Sequence, residues 1–128
     1  MKKNEAELYT LIKSHLPGDF ERVENFASVG TPDISGAWGR DYFVELKAQP
    51  LLADADMEKL LEKSQRVWLA RRCPQGTLTF IIVRFSNRII ISKATADSMV
   101  PLASIKKRKN KWDWPHFEAT IQKEIKGC

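Results

Sequence analysis

The sequence holds only two cysteines, Cys73 and Cys128, far apart and with no CxxC pair. That argues against a disulfide scaffold or a cysteine-based zinc site, and it fits a reducing, cytosolic setting. The two histidines, His15 and His116, have no His, Cys or acid at useful ligand spacing apart from Glu118, so a histidine-based metal motif is absent. No apolar run reaches the roughly 18 residues of a membrane span. Met1-Lys2-Lys3-Asn4-Glu5 leads into an amphipathic stretch rather than the apolar core of a signal peptide. There is no P-loop, so no nucleotide cofactor is implied, and no serine or cysteine has the local context of a nucleophile. Internal repeats and low-complexity segments are also missing.

What is present is enough for one domain. The 128 residues are 43% hydrophobic, which supplies a core without staples. The expected core covers residues of about 4–92, and a basic, tryptophan-rich extension covers about 93–128. The formal net charge is +5 and the isoelectric point near 9.3, so a polyanion is a reasonable partner.

Leu8, Leu11, Ile12 and Leu16 recur at helical spacing, predicting a helix over 4–15 that Pro17-Gly18 ends. A loosely alternating strand is expected over 20–29. Gly30-Thr31-Pro32-Asp33 breaks it, and 34–38 resumes it. Tyr42-Phe43-Val44-Glu45-Leu46-Lys47-Ala48 is rich in aromatic and β-branched residues and reads as a strand paired in a hairpin with 34–38. A helix over 54–72, strands over 77–85 and 88–92, and a last helix from Asp113 or Trp114 to about 125 follow. The order α-β-β-β-α-β-β, with a helix between two strands, predicts an α/β fold with a mixed sheet.

On a strand, Glu45 and Lys47 share one face and Leu46 takes the other. Twelve positions earlier, Asp33 opens the partner strand of the hairpin, where pairing brings it close to Glu45. A Glu-x-Lys tripeptide alone is usually a solvated face, and Pro-Asp alone a turn. The conjunction is harder to dismiss. Two carboxylates and a lysine are the equipment for phosphodiester hydrolysis: Mg2+ takes hard oxygen ligands and activates a water, and an ammonium offsets charge in the transition state.

Gly30-Thr31-Pro32-Asp33, then Glu45-Leu46-Lys47-Ala48, then Gln65 followed by Trp68 on a helix, resembles the PD-(D/E)xK nuclease superfamily. The likeness covers residues of about 5–85 and is greatest to the compact VRR-NUC and Holliday-junction-resolvase-like branch, typical of phage and other mobile-element genes. The resemblance implies a restriction-endonuclease-like αβββαβ core and a Mg2+-dependent cut in DNA, with Mn2+ as a substitute. It implies Asp33 and Glu45 as metal ligands, aided by the Leu46 carbonyl, and Lys47 beside the attacking water. The family's helix-borne glutamate matches Glu5, which leads the stripe of Leu8 and Ile12; Glu7 lies off that stripe, and Glu24 competes. Gln65 matches a glutamine that orients groups at the site.

The run Lys106-Lys107-Arg108-Lys109-Asn110-Lys111 contacts DNA phosphates on one reading and is a solvated loop on the other. For Trp112 and Trp114, packing is favoured over stacking on bases. Small relatives often act as homodimers on branched DNA, which makes Trp112, Trp114 and the hairpin over 77–92 candidate interface elements. The expected protein is therefore a cytoplasmic, structure-selective DNA endonuclease (in the host cytoplasm if phage-encoded). The alternatives are a non-catalytic nucleic-acid-binding module of the same fold, or a restriction-like, flap or single-strand nuclease.

Overall fold

A computed structural model describes residues 3–23, 32–48, 63–72, 76–95 and 98–127. The first helix, α1 (Lys3–Ile12), continues as a 3-10 turn over Lys13–His15. Leu8, Ile12 and Leu16 are buried, so the sequence stripe is the packed face. Pro17 ends it, and Gly18 turns the chain at φ +71°, where a Cβ would run into the Ala37 carbonyl.

The strands are β1 (Asp19–Arg22), β2 (Ile34–Ala37), β3 (Asp41–Ala48), β4 (Leu78–Phe85), β5 (Arg88–Ala94), β6 (Met99–Arg108) and β7 (Lys111–Trp112). They form one sheet in chain order, with β3 and β4 parallel and the other neighbours antiparallel. The parallel pair needs a crossover, and α2 (Lys63–Arg72) lies on it. The mixed sheet flanked by helices and the order αβββαβ agree with the expected fold class. The part of the second helix expected before residue 63, and the strand residues expected over 24–29, lie outside the described residues. Val23 is already outside β1, so that strand ends sooner than expected within the described stretch.

Alternation divides the sheet between two cores. Tyr42, Val44, Leu46, Phe80, Ile82, Ile89 and Ile91 pack on one face with Leu8 and Ile12 of α1 and with Phe117, Ile121 and Ile125 of α3 (Trp114–Lys126). Ile81, Val83 and Ala94 meet Leu69 of α2 on the other. Each fully buried Phe or Ile contributes roughly 1.5–3 kcal/mol over an exposed one. Strand β4, covered on both faces, is correspondingly apolar almost throughout.

The stretch expected as an extension beyond residue 92 is built into this architecture. Strand β6 extends the sheet and α3 covers it, tied by a Lys93–Glu124 ion pair of 2.9 Å. Asp113 caps α3 by accepting from His116 N at 3.3 Å, and Pro115 sits in the first turn. The basic run is likewise no loose loop. It closes the β6–β7 hairpin, with Lys109 and Asn110 both left-handed at φ 49° and 62°, the backbone of a two-residue primed turn.

Candidate active site

The hairpin of β2 and β3 pairs Ile34 with Val44. One step further, that register sets Asp33 opposite Glu45 on the same face. Asp33 is held there by the main chain, because Leu46 N donates to Asp33 Oδ2 at 2.8 Å. Glu45 and Lys47, only 5% and 7% exposed, stand side by side on β3, with Lys47 Nζ 3.9 Å from Glu45 Oε1.

Helix α2 closes the site from above. Trp68 packs edge-on against Phe43, ring centroids 5.3 Å apart, and Leu69 joins the second core. Phe43 and Glu45 share a face of β3, and Gln65 lies one turn before Trp68. Docking the tryptophan on the phenylalanine therefore brings Gln65 over the carboxylate, and Gln65 Nε2 donates to Glu45 Oε1 at 2.5 Å. Arg66, next along, is exposed.

Glu5 is also buried, on the α1 stripe. Glu7 is exposed, and Glu24 lies outside the described residues. Burial, chiefly, raises the Glu45 pKa to about 9; Asp33 adds to the rise through its charge and a hydrogen bond, Glu5 adds through charge, and Lys47 opposes it. Among the described residues, the pull of Lys47 on Glu45 thus falls short of the combined effect of burial and the neighbouring acids.

That deficit, and the donor types, suit a divalent cation. Asp33 and Glu45 offer hard carboxylate oxygens, held in place by Leu46 N on Asp33 and by the Gln65 amide on Glu45. Among the described residues no group of three or more His, Cys, Asp or Glu side chains forms a metal cluster. A cation here would therefore rely on the carboxylate pair, a main-chain carbonyl such as that of Leu46, and waters, in the manner of Mg2+.

The remaining expected residues lie elsewhere. Lys106, Arg108, Lys109 and Lys111 are exposed on the β6–β7 hairpin, and Lys107 is half-buried. Trp112 is buried beneath the Arg84 guanidinium, 5.5 Å from its ring, and Trp114 stacks on His15 at 3.9 Å. Packing thus accounts for both tryptophans. His15 Nδ1 also pairs with Glu118 Oε1 at 2.7 Å, a contact across 103 residues that no local spacing could reveal.

No protein-family model matches the chain, and no curated protein matches it. Among solved structures the chain is similar to Hjc of Archaeoglobus fulgidus, a Holliday junction resolvase from an archaeal hyperthermophile. That match has 17% identity and a TM-score of 0.45, and it covers 87% of this chain and 83% of that one.

Proposed function

We propose that this chain is a divalent-metal-dependent endonuclease that hydrolyses phosphodiester bonds in DNA. The observation that carries the reading is the convergence of half-buried Asp33 with buried Glu45 and Lys47 across one hairpin, where burial and the Asp33 charge outweigh the pull of Lys47 on Glu45. Asp33 and Glu45 are the residues that would hold Mg2+ or Mn2+, with Glu5 nearby and the Leu46 carbonyl as a further donor. When bound, the ion would supply Lewis-acid activation of the phosphate and a more acidic water.

The protein's own groups then have distinct tasks. Lys47 orients the attacking water by hydrogen bonding and offsets negative charge as it builds on the phosphate. Gln65 fixes the carboxylate of Glu45 through its amide. The bond from Leu46 N holds Asp33 in one rotamer, so little reorganisation is left for the reaction. A preference for branched DNA and a homodimer that makes paired cuts rest on the resemblance of the Asp33 and Glu45-Leu46-Lys47 motifs to the junction-cleaving branch.

The test is cleavage of a four-way junction, a flap, a linear duplex and single-stranded DNA in Mg2+, Mn2+ or EDTA, with Asp33→Ala and Lys47→Ala alongside. Metal-dependent cleavage lost in both variants is expected. No cleavage of any substrate sinks the enzyme reading, and cleavage that survives both substitutions sinks this site. Binding without cleavage favours a non-catalytic module.

A further inference from the structure

The strand registers connect the site to the basic hairpin. Lys47 pairs with Val83, Val83 with Ile90, and Ile90 with Ser104. Paired residues on neighbouring strands share a face, so all four side chains take the face of Glu45 and Lys47. Three interstrand steps of about 4.8 Å put the Ser104 backbone about 14 Å from that of Lys47. Further along the same face, Phe85 pairs with Arg88 and Arg88 with Lys106.

At the end of that line Ser104, Lys106, Arg108, Lys111, Trp112 and Asp113 border a groove of about 530 Å³. Its one carboxylate, Asp113, is engaged at the start of α3 by His116 N. Lys106, Arg108, Lys111 and Arg88 form no ion pair among the described residues. Arg88 Nε is buried with no hydrogen-bond partner. Over Met99–Lys106 the outer edge of β6 has no partner strand among the described residues, because β7 pairs only with Lys107 and Arg108. Unpaired main-chain N–H groups and a row of free cations are donors of the kind that bind phosphate oxygens.

We propose that this groove is a second DNA contact, gripping the phosphate backbone about four base pairs from the bond to be cut. The base-pair count follows from about 14 Å at 3.4 Å rise per pair, and it rests on the nuclease reading. The groove as a backbone site does not. An acidic protein offers carboxylates without this periodic spacing, and the groove's alignment with a phosphodiester site favours DNA.

The deciding measurement is binding of a fluorescent linear duplex in EDTA across a salt series, for the wild type and a Lys106→Gln/Arg108→Gln/Lys111→Gln triple variant. Weaker binding is expected, with the slope of log affinity against log salt flattened by about 1 for each phosphate the variant no longer neutralises. All three positions are exposed; should the triple variant misfold, Ser104→Glu sets a charge in the same groove and must weaken binding too. Unchanged affinity and slope overturn the proposal, as does equal displacement of the duplex by polyglutamate. In cleavage of duplexes trimmed from one end, the rate should collapse when fewer than about four pairs remain beyond the cut; cleavage indifferent to that flank overturns the spacing. Absence of all cleavage would refute the nuclease reading and its base-pair count, while the salt slope still decides the groove.

Discussion

Gln65 and Glu45 meet across the gap between α2 and β3, the glutamine amide donating to Glu45 Oε1 at 2.5 Å. The bond takes up an oxygen of a carboxylate that is almost wholly buried. It also sets which way the remaining lone pairs face. A helix that contributes little to the larger core thereby determines the orientation of the central acid.

Gln65→Ala should therefore act through the metal more than through the fold. Loss of a partner that orients a ligand typically costs about 10–100-fold in metal affinity or activity. The half-saturating Mg2+ concentration for cleavage should rise by that order, while the thermal transition without metal moves little. Gln65→Glu should be worse, because it adds a carboxylate to a site already rich in them. A Mg2+ titration identical to wild type would remove Gln65 from the site.

The pH dependence has a definite sign. Glu45 rises from 4.5 to about 9 on folding, burial being the largest cause. Between those values the folded chain holds a proton that the unfolded chain has released, so stability falls as pH rises. The stabilising contribution is complete below 4.5 and gone above about 9. A metal ion displaces that proton, so the stabilisation by Mg2+ should grow with pH through the same window. Thermal melts across pH, with and without Mg2+, check both trends; in Glu45→Gln the metal-free slope should flatten.

The site was more legible in the sequence than the frame around it. Alternation alone puts Glu45 and Lys47 on one face, and a short hairpin brings in Asp33. Asp113 and Pro115 mark the start of α3 through local capping chemistry. Strand β6 is harder to read, because Met99-Val100-Pro101-Leu102-Ala103-Ser104 does not alternate and carries a proline, which only an edge or a bulge tolerates. The turn at Lys109 and Asn110 is hidden because lysine rarely takes a positive φ. The placement of Arg88 beside Lys106 depends on registers across three strands, which no local pattern encodes.

Gly36 and Tyr42 form a structural pair below the site. The buried Tyr42 hydroxyl donates to the Pro17 carbonyl at 2.8 Å, and burial raises its pKa to about 12. A Cβ on Gly36 would stand 2.6 Å from that hydroxyl oxygen. Gly36→Ala should destabilise by about 1–3 kcal/mol through overpacking. Tyr42→Phe should cost about 1–3 kcal/mol by leaving the Pro17 carbonyl without its donor. Because the two changes act on the same pair of side chains, the double variant should lose less than the sum. Strict additivity in denaturant melts would contradict the packing relationship.

Asp33→Asn separates the two tasks of the aspartate. An asparagine oxygen can still accept from Leu46 N, so the rotamer and the hairpin persist. The negative charge that helps to raise the Glu45 pKa is gone. In metal-free buffer above 4.5, where Glu45 is pushed toward ionisation, the variant should melt higher than the wild type. Its Mg2+-dependent stabilisation should nearly vanish, and cleavage should fall by about 100-fold or more, as for loss of a central electrostatic group. Asp33→Ala provides the contrast, since it discards the same charge but also strands the Leu46 N–H, and the second loss offsets the first. Higher stability with lower activity in the asparagine variant alone is the signature of a carboxylate kept for a cation. A destabilised Asp33→Asn would show instead that the charge itself holds the hairpin together.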